Sequence, residues 1–294
     1  MPKSSMQSGQ VLLLILLAMA VVATLVLSVV SRSITDIAVT TQDEQSLRAF
    51  SAAEAGVEKA IVDGLAIGLG SSGTVGEATE AEFSSEVGEF PENKRSFIYP
   101  TELASGDTAT VWLAEHDSEQ ISGDRGFTGQ TFRLCWGKAG VSGAEPAIEV
   151  SVFYDEGPEL RVARVAYDSS STRRGENNFS SPAGSGKCTI GEREFGFDSL
   201  VDLGSMGIRS RVFNDPGKLK MARVRMLYNT DGEPLGAVSE GSSSNFPVQG
   251  KLIESTGSSG DAQRKVEFVN LFSEPPAIFD SAIFSDINLI KEEQ

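Results

Sequence analysis

The sequence has very few of the residues that bind metals or transfer protons at neutral pH. It has one histidine, His116, between Glu115 and Asp117, and two cysteines, Cys135 and Cys188. Without a CxxC pair or a cysteine–histidine cluster, no metal site is expected. We predict that His116 is a solvated loop residue. The Walker, GxSxG and HExxH motifs are also absent, so we expect neither catalysis nor a cofactor.

Basic residues are scarce relative to acidic ones. The 294 residues include 25 lysines and arginines against 41 aspartates and glutamates, a net charge of -16. A surface this negative opposes binding to nucleic acid, so no nucleic-acid partner is expected. A short basic run, Lys218, Lys220, Arg223 and Arg225, lies on a predicted strand. Its side chains alternate between two faces, so we expect them to pair with nearby carboxylates rather than bind DNA.

Charge is absent from residues 4–31, and within 11–30 only Thr24 and Ser28 interrupt the apolar side chains. About 20 helical residues at about 1.5 Å each span the hydrocarbon core of a bilayer. A cleaved secretory signal is the rival interpretation, but its apolar region would be only about 7–15 residues long. The sequence therefore predicts a retained membrane helix over residues 11–30.

Proline is absent between Pro2 and Pro91, and small or apolar residues recur beyond residue 30 at spacings of three and four. This spacing predicts that the helix continues in amphipathic form. We predict one helix over residues 10–63 with Gly64 as its C-terminal cap. The alternative is two helices with a break at Thr40 and Thr41, where β-branched residues weaken helix propensity.

A polar leader, MPKSSMQSG at residues 1–9, ends in Gly9 immediately before the apolar run, and residues 51–58 read SAAEAGVE. The leader and helix resemble type IV prepilins and type II secretion pseudopilins. The second segment is similar to the AAEAG segment of X-type (PilX-like) minor pilins. Residues 253–258 and 264–267 resemble the strand–turn–strand that closes many such domains. The resemblance is good over residues 8–62 and fair over 246–272.

The resemblance implies that a prepilin peptidase cuts between Gly9 and Gln10 on the cytoplasmic side, and that Gln10 is then methylated. It also implies an α+β, pilin-like fold, in which the long helix packs on an antiparallel sheet with long loop insertions. Most pilins have a glutamate at the fifth mature position, where this chain has Leu14. In the family that carboxylate pairs with the N-terminal amine of a neighbouring subunit. Leu14 therefore favours an initiating or tip subunit.

The expected partners follow from the same resemblance. They are the membrane, the peptidase and other pilins or pseudopilins contacted through the helix, while the ligand of a filament tip is not encoded in any motif. The acidic C-terminal mass favours a single-pass orientation with the N-terminus inside and the C-terminus outside. The protein would later enter an extracellular or periplasmic filament. The alternative is a membrane-anchored surface binding protein that retains Met1 and does not assemble.

The remainder of the chain is predicted to be a linker over residues 64–90 and an exported β-rich domain over residues 91–294. Alternating polar and apolar residues predict antiparallel strands. These are expected at 108–114, 130–136, 147–154, 160–167, 219–228, 248–255 and 264–272. Asn229–Gly232 is predicted to be a hairpin turn, and residues 168–193 a long loop. Cys135 and Cys188 form either a disulfide, if the domain is exported, or two buried thiols.

Overall fold

The computed structural model describes residues 8–76, 81–117, 120–140 and 145–276. The predicted leader therefore lies outside the described residues, apart from Ser8 and Gly9. The chain divides into two compact units, Met1–Val87 with Ile253–Phe268, and Gly88–Leu252 with Val269–Gln294. The predicted α+β class is confirmed, because a long N-terminal helix precedes a mostly antiparallel β domain.

The helices are α1 (Ser8–Val62), α2 (Ser171–Asn177) and α3 (Ser210–Phe213). The strands up to residue 140 are β1 (Gly70–Val75), β2 (Ala81–Phe90), β3 (Ser96–Ile98), β4 (Thr108–Trp112), β5 (Ala114–Asp117), β6 (Gln120–Gly126) and β7 (Thr131–Lys138). The later strands are β8 (Ala147–Glu156), β9 (Glu159–Asp168), β10 (Gly184–Ile190), β11 (Arg193–Asp202), β12 (Leu219–Leu227), β13 (Leu235–Ser239), β14 (Gly250–Ser259) and β15 (Ala262–Leu271). Each strand predicted from the sequence overlaps one of these.

In the first unit, the C-terminal part of α1 packs on a sheet of order β1-β2-β14-β15. The helix residues that face this sheet are small or apolar. The buried ones are Ala49, Ala52, Ala53, Val57 and Ala60. Phe83 and Val87 of β2 and Ile253 of β14 complete the apolar contacts. The predicted packing of the amphipathic half of the helix on an antiparallel sheet is thus confirmed.

The end of α1 is fixed by its capping residues. Gly64 has a φ of 61°, a left-handed conformation that costs glycine little. Its amide donates to the carbonyl of Ile61 at 3.1 Å, and the Leu65 amide donates to Ala60 at 3.1 Å. These two hydrogen bonds define a Schellman motif, and Leu65 packs on the apolar cluster that contains Ala60. The prediction that Gly64 caps the helix is confirmed.

The second unit contains two sheets, of order β10-β11-β7-β13-β3 and β4-β12-β8-β9, and the β5-β6 ribbon. Strand β7 illustrates how the first of these sheets is built. Phe132, Leu134 and Trp136 alternate along it and are fully buried in the main core, together with Val150 and Val152 of β8. Because strand side chains alternate, Arg133 and Cys135 face the opposite side of the sheet.

The segment predicted as a linker, residues 64–90, is instead occupied by β1 and β2. Its glycine, serine and glutamate content is typical of loops, but β2 alternates buried and exposed residues along most of its length. Ala81, Phe83 and Val87 face inward, with Ser85 between them. The period-two pattern, rather than the composition, determines the structure here.

Residues 168–193, predicted to be a long loop, contain α2 and the whole of β10. Asp168 organises this segment because its side chain is fully buried and accepts four hydrogen bonds. The donors are the Ser170 amide, two nitrogens of Arg173 and the Asn177 side chain, at 2.7–3.1 Å. Hydrogen bonds to the Asp168 side chain therefore hold this short helix in place. The local sequence patterns that normally predict a helix are missing here.

The hairpin predicted at Asn229–Gly232 is wrong. Strand β12, before it, pairs with β4 and β8, whereas β13, after it, pairs with β3 and β7. The segment therefore connects two different sheets. Asn229 holds it in place by donating to the carbonyl oxygens of Leu103, at 2.9 Å, and of Asp231, at 2.7 Å.

Candidate functional site: the apolar half of the N-terminal helix

The N-terminal half of α1 is apolar and exposed on all sides. Every residue from 11 to 30 is exposed, and Leu14, for example, is 64% exposed. In the part of the chain that the structure describes, α1 is the one helix that is long and apolar enough to cross a membrane. Such a surface is stable only in lipid or against other apolar helices, because exposure to water would cost the free energy of hydrating its side chains.

The backbone of this half is suited to an environment without water. In the interior of a helix each backbone N–H and C=O group is hydrogen-bonded within the same helix, which is the condition for crossing a bilayer. The hydroxyl of Thr24 also finds a partner inside the helix, because it donates to the carbonyl of Val21 at 2.8 Å. A polar side chain in the apolar run is thereby satisfied without water.

One side of the apolar half carries a shallow groove with small residues in it. The groove is lined by Ile15, Ala18, Met19, Val22, Ala23, Val26 and Leu27. Ala18 and Ala23 leave room for close approach of a second helix, which is the usual basis of helix packing in membranes. The lining contains no charged residue, so a partner at this groove would itself be apolar.

The predicted processing residues lie at the start of α1. The helix begins at Ser8, so the backbones of Gly9 and Gln10 are already helical. Leu14 lies one turn further and presents a hydrocarbon side chain. The first acidic residue of the helix is Asp36, far beyond the apolar run. The helix surface near its start therefore offers no carboxylate.

The middle of α1 connects the apolar half to the packed half without a break. Thr40 and Thr41, where a break was the alternative, lie inside the continuous 55-residue helix. Their hydroxyls donate to the carbonyls of Asp36 and Ile37, at 2.8 and 2.9 Å. Back-bonding to the preceding turn lets threonine remain within a helix, although it is a poor helix former. The prediction of one continuous helix is confirmed.

The SAAEAGVE segment has a clear physical role in the packed half. Ala52, Ala53 and Gly56 face the sheet, whereas Glu54 points to solvent. A Cβ atom at Gly56 would overlap Ser255 and lie 2.8 Å from the Phe83 ring. The small residues thus let the strands approach the helix backbone closely. This is the same property that makes small residues useful at helix interfaces.

Cys135 of β7 and Cys188 of β10 are joined by a disulfide, with their Cα atoms 6.0 Å apart. Ile190 and Phe195 pack around it in a small apolar cluster. The disulfide closes a chain separation of 53 residues. It lies on the face of the sheet opposite to Trp136, so it supports β10 where the main core does not reach.

The prediction that His116 is a solvated loop residue is wrong. His116 lies on β5 between two aromatic rings, with ring centroids 4.2 Å from Trp112 and 4.4 Å from Phe272. Burial lowers the pKa of its imidazole below the ordinary value. His116 therefore belongs to an aromatic cluster that packs against Phe272, the residue that follows β15. Its charged sequence neighbours, Glu115 and Asp117, gave no indication of this burial.

Sequence reasoning also missed an ionic cluster centred on Arg133. Its guanidinium pairs with Glu240 at 2.6 Å and with the largely buried Asp198. Hydrogen bonds to these two carboxylates raise the pKa of Arg133. The partners lie 107 and 65 residues away in the chain, so no local motif relates them.

Two residues of the basic run, Lys220 and Arg223, contact carboxylates, as was predicted for the run. Lys220 pairs with Asp155 at 2.9 Å, and the buried Arg223 lies 3.9 Å from Glu274. Among the described residues, no group of three or more histidine, cysteine, aspartate or glutamate side chains is placed to hold a metal ion.

The most distinctive functional surface of the described chain is therefore the exposed apolar half of α1. In comparisons with known proteins, no protein-family model matches the sequence, and no curated protein matches it significantly.

Proposed function

We propose that this protein is a minor pilin or pseudopilin, a structural subunit of a type IV pilus or of a type II secretion-like filament. One observation carries the proposal. A single 55-residue helix is exposed and apolar in its first half, and its second half packs on an antiparallel sheet. The role is structural, and no enzymatic step or cofactor enters it.

The two halves of the helix have separate tasks in this proposal. The apolar half first holds the protein in the membrane as a single-pass anchor, and then packs among the helices of other subunits. Leaving lipid costs little if the new environment is equally apolar, and the groove with Ala18 and Ala23 favours such packing. The second half packs on the sheet of the first unit, so that movement of the helix carries this sheet with it.

Leu14 gives the subunit its place in the filament. A buried N-terminal amine without a counter-ion costs several kcal/mol, on the order of the cost of any unpaired buried charge. Because Leu14 offers no carboxylate, this subunit pairs poorly with the amine of a neighbour. We therefore assign it to the initiating or tip position, where its β domain is presented to whatever the tip contacts.

The proposed topology has the leader in the cytoplasm and the β domain outside. Two features support it: the domain contains a Cys135–Cys188 disulfide, and such bonds persist in oxidising compartments. The strong acidic excess of the chain also suits an exposed surface. After assembly, the domain would be extracellular or periplasmic.

Leader processing provides the decisive test. The native chain, Gly9→Leu and the matched control Ser8→Ala would each be coexpressed with a prepilin peptidase, and their N-termini sequenced. We expect the native and Ser8→Ala chains to begin at Gln10 and the Gly9→Leu chain to keep Met1. If all three chains keep Met1, the protein is a permanent anchor and the filament proposal fails.

A further inference from the structure

The second unit contains a cavity of about 370 Å³ beside the β5-β6 ribbon. Its lining comes from four parts of the chain: Lys94, the ribbon together with Thr128, Pro216, and residues 245–248. All of these residues belong to the same compact unit. The volume lies within the range of small-molecule sites in proteins, about 300–1,000 Å³, so the cavity is large enough to hold a ligand.

Hydrogen bonds hold the walls of this cavity in place. The Phe246 amide donates to the carbonyl of Lys94 at 2.7 Å. The Ser244 amide donates to the carbonyl of Thr128 at 2.7 Å, and the Thr128 amide donates to Ser244 Oγ at 2.6 Å. The buried Phe246 ring stacks on Phe127, with ring centroids 5.2 Å apart. The cavity is therefore preformed, and a ligand can bind without the cost of ordering its walls.

Positive charge predominates in the lining, although the chain as a whole is strongly acidic. Among the described residues that line the cavity, Lys94 and Arg125 are basic and Glu115 is acidic. Glu89, which is not part of the lining, pairs with Lys94 at 2.6 Å. In a chain with a net charge of -16, a local excess of basic groups inside a cavity favours a negatively charged ligand at this place.

Arg125 is well placed to bind a carboxylate. Its side chain is 72% exposed, and its Nε lies 3.2 Å from a carboxylate oxygen of Glu115. A guanidinium has five N–H donors, and two of its nitrogens together match the two oxygens of a carboxylate. A ligand can therefore bind at Nη1 and Nη2 while Glu115 remains at Nε. Because exposed ion pairs contribute little to stability, a small shift of this pair would cost little.

The other side chains of the lining suit a ring that carries hydroxyl groups. Thr128 and the exposed Asn245 are neutral and can both donate and accept hydrogen bonds. Pro216, Pro247 and Val248 add apolar surface. A sugar ring has hydroxyl groups at its edge and C–H groups on its faces, so it would satisfy both kinds of surface.

We propose that this cavity binds an acidic monosaccharide of the hexuronic acid class. The carboxylate of the sugar binds to Arg125, with Lys94 as a second cation. Its hydroxyl groups bond to Thr128 and Asn245, and its ring lies against the two prolines. Binding requires no filament assembly, and it would occur equally in a permanently anchored protein.

Isothermal titration calorimetry of the full chain in detergent micelles tests the choice of ligand. Glucuronate is the probe, glucose lacks its carboxylate, and cyclohexanecarboxylate lacks its hydroxyl groups. We expect saturable binding of glucuronate in the millimolar range, and binding of the other two compounds that is weaker by about tenfold or more. Absence of glucuronate binding, or an equal affinity for either of the other compounds, would overturn the proposal.

Substitutions test the place of binding. Arg125→Gln should weaken glucuronate binding by about tenfold, whereas the matched control Arg161→Gln should leave it unchanged. Arg161 is 51% exposed and pairs with Glu156 and Glu159, away from the lining. If Arg125→Gln lowers the unfolding midpoint, Lys94→Gln takes its place, with the same loss of affinity expected. Native affinity in both cavity variants, or an equal loss in Arg161→Gln, would place binding elsewhere and refute the proposal.

Discussion

Gly257 of β14 lies directly against the backbone of α1 at Ala49. A Cβ atom at Gly257 would overlap the carbonyl oxygen of Ala49 and come into close contact with the amide nitrogen of Ala53. Both alanines are completely buried. The spacing between the helix and its sheet is therefore set by the absence of a side chain at residue 257, and by alanines on the facing side of the helix.

We expect Gly257→Ala to destabilise the protein by about 1–3 kcal/mol, the usual cost of forcing an extra carbon into a packed interior. The measurement is denaturant unfolding of the full chain in detergent micelles. Gly88→Ala is the matched control, because a Cβ there meets only the Leu252 carbonyl oxygen, at 3.8 Å. Equal unfolding midpoints for the two variants would show that the close approach does not limit packing.

Removing the disulfide should also lower stability. The bond closes a loop with a sequence separation of 53 residues. Chain entropy gives about 4 kcal/mol for a loop of this size. We expect Cys135→Ser/Cys188→Ser to unfold at lower denaturant concentration than the oxidised native chain. A reductant should lower the midpoint of the native chain and leave that of the double variant unchanged. A native midpoint that does not respond to reductant would argue against a contribution from this bond.

Asp168 should make stability depend on pH in the acid range. Burial alone would raise its pKa, but hydrogen bonds from Arg173, Ser170 and Asn177 outweigh that effect and hold the pKa below its ordinary value of 3.8. Because the folded-state pKa is depressed, the stabilisation is complete above about pH 4. It is lost as the pH falls through the folded-state value.

Asp168→Asn should therefore cost about 2–3 kcal/mol at neutral pH, since the hydrogen bonds to a charged acceptor are weakened. The loss relative to the native chain should shrink as the pH falls below 4. Unfolding midpoints measured at several pH values test this. Glu176→Gln on the same helix is the control, because Glu176 is exposed, and it should leave the pH profile unchanged. A constant difference between native and Asp168→Asn chains across the acid range would contradict the assignment.

Local patterns in the sequence were sufficient to predict those elements whose structure depends mainly on neighbouring residues. The spacing of three and four residues between apolar positions predicted α1, and Gly64 predicted its end. Both signals arise from residues within one helix and need no distant partner. Alternation likewise predicted β8 and β12. The apolar run that forms the candidate site was evident for the same reason, since membrane insertion depends on a contiguous stretch of residues.

Long-range pairing accounts for what the sequence did not predict. Asn229–Gly232 has the composition of a hairpin, but only the separate partners of β12 and β13 reveal that it joins two sheets. His116 is enclosed by Phe272, more than 150 residues later in the chain. The disulfide could not be assigned from two cysteines alone, because spacing does not report whether their strands meet.

Leu14 provides the sharpest prediction about assembly. If the missing carboxylate confines the subunit to a filament end, Leu14→Glu should allow it to pair with a neighbour's amine and enter the filament body. We expect more copies per filament when this variant is coexpressed with a major subunit. Quantitative mass spectrometry of purified filaments, with immunogold labelling, would measure that number.

Leu17→Glu is the matched control for the added charge. Leu17 lies in the same apolar run, about one turn further along the helix, where a carboxylate is no longer at the fifth mature position. A glutamate at either position opposes burial in an apolar environment, so a general effect of charge would change both variants alike. Enrichment of Leu14→Glu alone, distributed along the filament, supports the role of this residue. Equal incorporation of both variants, or of neither, would remove Leu14 as the reason for a tip position.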